Sequence, residues 1–517
     1  MSGGSAYRAA LASIVLGGAA FRLFPIWFGL PYPHARPDEA TTLGHAVAIL
    51  AGDPNPHFFN WPSLTFYLFA GLFAIASAVR PLEPTDLVLI GRAAVALAGT
   101  ATIIVLARLG AKIGGRTTGL LAACFLSVAT LHVRDSHFAL TDVLMTLLVT
   151  LSLAFLVEAQ RTASIRHVAL AGLFGGLATS TKYNAAAIIA AMASVQWLWP
   201  RRLADPRPAL VFGAALAGGF LVATPFALLD ARAFMTDVLF ESRHLAGGHA
   251  ILVGRGWTYH LTRTLPYGLG FGIFAAGIAG IHPLARHHGH PALVLGAFAA
   301  AFFAAIGSGQ TVFFRYVMPL VPLFCLSAAV AVSHSGAALA ERARFPASAV
   351  VGLLAAIVAG PSLVNSVRLD LLLARTDTRV LAARWLAPRL SPDDTLYDAG
   401  GDYARLALEG TSFHEWRYQA ATRSFGDPAG RTPDWIVLDE SPLPAYTTVE
   451  APIASLVARD YVMVHEELGS RGLPPAGVYD LQDAFFLPVS GFAAVERPGP
   501  NVRIYRRRDL EATRSTK

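Results

Sequence analysis

Apolar residues run in long blocks over the first two thirds of the chain, and the pattern changes beyond about residue 365. A helix needs about 20 apolar residues to cross a bilayer. Blocks of that order lie near 9–29, 62–80, 87–108, 117–131, 139–157, 168–181, 183–199, 208–229, 264–284, 292–308, 314–334 and 347–363. Further on, charges and prolines separate shorter runs. Arg379 to Leu390 has a helical pattern, whereas Thr395–Ala399, Asp434–Asp439, Tyr461–Val464 and Asn501–Tyr505 read as strands. The pattern predicts an α-helical polytopic membrane domain over 1–365 and an α/β domain over 366–517.

Charge orients the blocks, because short loops rich in Lys and Arg stay in the cytoplasm. Three loops qualify: 108–116 with Arg108, Lys112 and Arg116; 200–208 with Arg201, Arg202 and Arg207; and 334–346 with Arg342 and Arg344. With Arg8 also cytoplasmic, the first block ends outside, and 87–108 must begin outside to finish at its basic loop. The block 62–80 therefore starts and ends on the external side and is expected to lie in, or dip into, the outer interface. Eleven spans remain. The expected placement is the plasma membrane (the inner membrane of a bacterium), with the N-terminus cytoplasmic and the C-terminal domain extracytoplasmic.

Composition agrees: 54% of residues are hydrophobic and only 15% charged, against about 25% charged in soluble domains. A soluble enzyme, a disordered chain and a nucleic-acid-binding protein are poor fits. The net charge of +7 comes from arginines scattered between apolar blocks, not from a basic patch, so no nucleic-acid partner is expected. The two cysteines, Cys124 and Cys325, sit inside apolar blocks and offer neither a disulfide framework nor a zinc spacing.

Ionisable groups near the bilayer are costly and mark functional sites. Several gather on the expected external side. Just past the first block come Arg36, Asp38 and Glu39, within Arg-Pro-Asp-Glu; adjacent carboxylates there could take a proton from an acceptor hydroxyl, or could be a solvated loop. Arg134, Asp135, His137 and Asp142 form a second cluster, with Asp142 at the mouth of the next helix. A cation, a metal or a substrate hydroxyl would offset its burial, and so would local pairing with Arg134. His132 and His137 match no recognised metal spacing. Lysine is scarce, occurring only at 112, 182 and 517, and Lys182 falls in the Thr-Lys-Tyr-Asn turn between two apolar blocks. Its ammonium could hold a phosphate as a point charge or snorkel to water. Arg315-Tyr316 suits an anionic lipid headgroup, as a binding site or as a simple anchor. The external loop 230–263 brings Glu241, His244 and His249, a possible metal set with a partner elsewhere, or an acceptor-facing loop. No cofactor is required by these residues, and a divalent metal is compatible with them.

The order of these features resembles the polyprenyl-phosphate-dependent glycosyltransferases of the GT-C fold, in the branch of the protein O-mannosyltransferases and the lipid A aminoarabinose transferase. The resemblance rests on Asp38-Glu39 in the first external loop, Asn55-Pro56-His57 and Pro62 to Tyr67, Arg134 to Asp142, Gly176-Leu177 to Lys182-Tyr183, and Arg315-Tyr316 with Pro319 and Pro322. It covers about 1–365. The external loops are short beside those of eukaryotic protein mannosyltransferases, and the C-terminal part does not look like their sugar-binding inserts.

The resemblance implies a GT-C fold with about eleven transmembrane helices and a juxtamembrane helix at 62–80. It also implies transfer of a sugar from a polyprenyl-phosphate donor to a lipid, glycan or protein acceptor, within membrane lipid. On that reading Asp38 is the base and Glu39 its partner. Lys182, Arg315 and Tyr316 hold the donor phosphate, and Arg36, Arg134, Asp135, His137, Asp142 and His244 shape the sugar and acceptor pocket. A single displacement would invert the anomeric carbon. The rival reading is a transporter or flippase of a lipid-linked or small polar substrate. Such proteins often show inverted repeats and broken midplane helices, and neither is visible in the sequence. A membrane scaffold would leave the one-sided polar cluster unexplained.

Overall fold

A computed structural model of the 517-residue chain describes residues 3–200, 204–427, 430–472 and 477–514. Arg201, Arg202 and Lys517, which bear on the expected cytoplasmic loop and the lysine count, lie outside the described residues. The chain divides into two compact units, one of residues 1–26 and 38–368, the other of 27–37 and 369–517.

The first unit is helical. Its opening elements are α1 (Gly3–Leu23), α2 (Pro37–Leu50), α3 (Leu64–Ser77), α4 (Pro84–Val128), α5 (Thr130–Asp135), α6 (Thr141–Thr162), α7 (Ile165–Thr179), α8 (Ile188–Leu198) and α9 (Arg207–Ala223). Among the described residues six helical stretches are long and apolar enough to cross a membrane: Gly4–Leu23, Pro84–Val128, Thr141–Thr162, Gly289–Ser308, Phe314–Ala343 and Ala347–Arg389. A bent pair, Gly256–Leu269 with Phe271–His287, makes a seventh. The 14 residues of α3 give only about 21 Å of helix, less than the ~30 Å hydrocarbon core.

The polar interruption between the blocks 87–108 and 117–131 is a fold-back inside α4. Gly115 takes φ 85° and ψ 176°, a conformation open to glycine and costly for other residues. The two halves then pack so closely that a Cβ on Gly119 would stand 2.4 Å from the Ala107 carbonyl oxygen. The returning half ends at Val128 with unsatisfied carbonyls. The buried Arg22 guanidinium meets them, donating to the Leu126 oxygen at 2.9 Å and the Ser127 oxygen at 3.1 Å. A cation there also suits the negative end of the helix dipole. Gly172 and Gly176, four residues apart on α7, let α9 approach: a Cβ would lie 2.5 Å from the Phe212 oxygen and 2.1 Å from the Leu216 oxygen.

Three expected blocks differ in the structure. The run 264–284 is not one helix; it breaks at Gly270 (φ 82°), with a 117° bend between Gly256–Leu269 and Phe271–His287. Ser362 Oγ donates to the freed Leu269 carbonyl at 2.6 Å. The run 314–334 opens as a 3-10 turn, Phe314–Leu320, and becomes α-helical only at Val321, because Pro319 and Pro322 favour a first turn over a helix interior. The run 208–229 stops at Ala223, ahead of Thr224-Pro225, where the residue before proline is pushed out of the helical region. The loop 230–263 contains a 17-residue helix, Ala231–Gly247, none of whose residues is buried.

The second unit is an α/β structure. Its strands are β1 (Thr395–Asp398), β2 (His414–Glu415), β3 (Trp435–Glu440), β4 (Tyr461–Glu467) and β5 (Asn501–Arg507), ordered β2-β1-β3-β5-β4. β1 runs parallel to β2 and β3, while β5 pairs antiparallel with β3 and β4. Trp435, Val437, Val502 and Ile504 build its core with Leu386 and Leu396. Four of the five strands coincide with runs read from the sequence. The fifth, β2, is a two-residue exposed edge of His and Glu, too short and polar to show a strand period.

Candidate functional site

Four charged side chains from four separate elements of the first unit form a row of alternating sign. Asp38 lies in the first turn of α2, with Pro37 before it fixing the helical entry. Its Oδ2 meets Arg315 Nη2 of the Phe314–Leu320 turn at 2.9 Å. Arg315 Nε lies 3.8 Å from Oδ2 of Asp142, in the first turn of α6, and Asp142 Oδ1 accepts from Lys182 Nζ at 2.7 Å. Lys182 follows α7 and its Nζ stands 4.4 Å from the centre of the Tyr316 ring; the Arg315 guanidinium lies 4.1 Å over Phe313. The two aromatic faces favour the cations without neutralising them. Exposure separates the acids: Asp38 is 38% exposed and Asp142 only 3%. Asp38 is open to solution, whereas Asp142 lies between the two cations.

The other expected site residues go elsewhere. Glu39, next to Asp38 in sequence, turns inward by the ~100° step of the helix and is fully buried. It takes both Nε and Nη2 of Arg92, at 2.9 and 2.6 Å, and the Ala139 amide at 2.7 Å. Arg134 and Asp135 are buried and bond to each other at 3.1 Å. The buried His137 ring lies within hydrogen-bond distance of the Val133 and Phe24 carbonyls, at 2.9 and 3.0 Å. Arg36 belongs to the second unit, where it is buried in a two-pronged pair with Asp483, one bond being 2.9 Å. His244 Nε2 faces His249 Nδ1 at 3.0 Å, with Glu241 at 3.6 Å.

Among the described residues no group of three or more His, Cys, Asp or Glu side chains is placed to hold a metal ion, Glu241, His244 and His249 included. In the charged row each carboxylate is already met by a cationic side chain.

Arg22 and Arg92 are features that sequence reading passed over. Each is a fully buried arginine lying within an apolar block, and an ionisable residue at membrane depth is itself a signal. Arg92 fixes the position of α2 through Glu39, and hence of Asp38.

The comparisons with known proteins bear on this arrangement. The sequence profile of the dolichyl-phosphate-mannose-protein mannosyltransferase family matches residues 85–228, from near the start of α4 to just past α9, a stretch that includes Asp142 and Lys182. No curated protein sequence matches the chain. Among solved structures the chain is similar to ArnT from Cupriavidus metallidurans bound to undecaprenyl phosphate, at 15% identity, a TM-score of 0.52 and 99% coverage of both chains. It is also similar to the archaeal oligosaccharyltransferase AglB from Archaeoglobus fulgidus in complex with an inhibitory peptide and a dolichol-phosphate. There the identity is 12% and the TM-score 0.51, covering 84% of this chain and 69% of the other. A complex of the Archaeoglobus fulgidus oligosaccharyltransferase with Zn and sulfate matches at 12% identity and a TM-score of 0.50, over 96% and 88%. The resemblance read from the sequence holds at the level of the fold: the chain has the GT-C fold of the polyprenyl-phosphate-dependent glycosyltransferases.

Proposed function

We propose that this protein is an integral-membrane glycosyltransferase that moves a sugar from a polyprenyl-phosphate donor to an acceptor hydroxyl on the extracytoplasmic side. The observation that carries the reading is the row Asp38–Arg315–Asp142–Lys182, which sets one reachable carboxylate beside two fixed cations. In the reaction the acceptor oxygen attacks the anomeric carbon and the bond from that carbon to the phosphate oxygen breaks. The acceptor proton passes to Asp38, and polyprenyl phosphate leaves with the extra negative charge. Arg315 and Lys182 stabilise that charge, with Tyr316 supporting Lys182. A single displacement inverts the anomeric centre. Arg315 pairs with Asp38 at rest, so an arriving phosphate competes for the guanidinium and releases the base. Asp142 and Glu39 act as positioning residues, the first through both cations and the second through Arg92.

On this reading α7, α8 and α9 are spans completed by their flanking turns and the bent pair around Gly270 is one span. That gives eleven spans, with α3 lying in the outer interface, the N-terminus in the cytoplasm and 366–517 outside. ArnT and AglB, seen with undecaprenyl phosphate and dolichol-phosphate, support a lipid-phosphate donor here. Purified protein in liposomes, given a panel of radiolabelled polyprenyl-phosphate sugars and hydroxyl acceptors, tests the proposal through release of polyprenyl phosphate. Movement of a polar substrate across the bilayer without release would favour a transporter instead.

A further inference from the structure

Among the polar side-chain atoms of the first unit that are shut away from solvent, four without a hydrogen-bond partner fall on two neighbouring short segments: Trp61 Nε1, Ser63 Oγ and Thr65 Oγ1 on one, Asn184 Oδ1 on the other. Ser63 and Thr65 are fully buried. Leaving such a group unpaired costs its full desolvation, so several together ask for a ligand.

The backbone ties the two segments together. The Leu64 amide donates to the Ser180 carbonyl at 3.0 Å, the Ser63 amide to Thr224 Oγ1 at 3.4 Å and the Tyr183 hydroxyl to the Phe59 carbonyl at 2.7 Å. Both segments also lead to the charged row. Asn184 is two residues beyond Lys182. On the other side Trp61 packs against Phe58 at 4.7 Å, and Phe58 stacks on His45 at 4.7 Å. His45 lies seven residues after Asp38 on α2, hence on the same helix face and about 10 Å further along.

An indole N–H, two hydroxyls and an amide carbonyl beside stacked aromatic rings suit one ligand chemistry. The Asn184 carbonyl needs a donor, which a sugar hydroxyl supplies and a phosphate dianion does not. The indole N–H needs an acceptor, and the hydroxyls of Ser63 and Thr65 can serve either way. We propose that the Trp61–Thr65 turn and Asn184 form the pocket that reads the hydroxyl groups of the donor sugar, while the lipid phosphate rests on Lys182 and Arg315. The inference depends on the transferase reading above and adds specificity-determining residues to it.

The test uses the full-length protein in liposomes with polyprenyl-phosphate mannose and polyprenyl-phosphate aminoarabinose, following whichever the wild type turns over. Trp61→Phe, Ser63→Ala and Thr65→Val each delete one orphan group at nearly constant shape. Each is expected to lower kcat/KM for the donor at least tenfold, while binding of sugar-free polyprenyl phosphate changes less than twofold. Thermal midpoints measured beside them show that each variant is folded. Variants with unchanged donor kinetics and raised midpoints overturn the inference, since the groups would then be buried liabilities only. If the wild type turns over neither of these nor any other donor of the polyprenyl-phosphate sugar panel, the proposed function itself is contradicted, and this inference with it.

Discussion

Asp38 and Glu39 are neighbours in sequence with opposite surroundings: Asp38 meets Arg315 at 2.9 Å and is 38% exposed, while Glu39 is fully buried against Arg92. A helix turns by about 100° per residue, so consecutive carboxylates at the start of α2 face different partners. One is open to solution and the other ties the helix to Arg92.

Glu39→Gln leaves the Arg92 guanidinium buried without its counter-charge. Removing one partner of a buried pair costs about 3–5 kcal/mol, so the variant should show a thermal midpoint well below wild type. Whatever folded protein remains should keep the wild-type pH profile for transfer. A profile shifted as far as that of an Asp38 variant would place Glu39 in the chemistry.

Lys182→Met takes the nearer of two cations from Asp142, which is 3% exposed, and leaves it only Arg315 at 3.8 Å. The single variant should lose both stability and affinity for polyprenyl phosphate. Adding Asp142→Asn should restore much of the midpoint without restoring that affinity. A double-mutant cycle on stability and lipid-phosphate binding checks this; recovery of both would make Lys182 a structural partner only.

The second unit carries its own pH dependence. On β3 the buried Asp439 carboxyl has no hydrogen-bond partner for either oxygen. Burial pushes its pKa well above the usual carboxylate range; the nearby Asp398 and Asp377 carboxylates add to the rise, and Arg379 opposes it. A folded-state pKa above the unfolded one contributes stability that is fully present below the unfolded value, near 3.9. It is lost as pH rises through the folded value. Asp439→Asn removes the dependence, so its protection against hydrogen exchange along β3, relative to wild type at the same pH, should grow from pH 5 to pH 8. A gap that shrinks over that range would reverse the sign of the account.

Much of this was legible in the sequence, and the failures have physical causes. Asp38, Asp142, Lys182 and Arg315 stood out because a charge beside an apolar block is expensive, and the structure brings all four together. Arg36 stood out for the same reason, yet its partner is Asp483, 447 residues further on, which no local pattern reveals. Arg134 pairs with Asp135, and His137 sits against the Val133 and Phe24 carbonyls, and a row of polar letters cannot distinguish that from a pocket. The bend at Gly270 was hidden because hydropathy records no backbone conformation, and one glycine at φ 82° inside an apolar run looks like continuity. Arg22 and Arg92 were within reach, since each interrupts an apolar block.

The central claim is that Asp38 takes the acceptor proton while Arg315 and Lys182 receive the leaving phosphate. Single-turnover transfer from a polyprenyl-phosphate sugar in liposomes, comparing wild type with Asp38→Asn, tests it most directly. A general base contributes about 10²–10⁴ in rate, so Asp38→Asn should release polyprenyl phosphate at least a hundredfold more slowly while still binding the donor. Release at the wild-type rate would contradict the account.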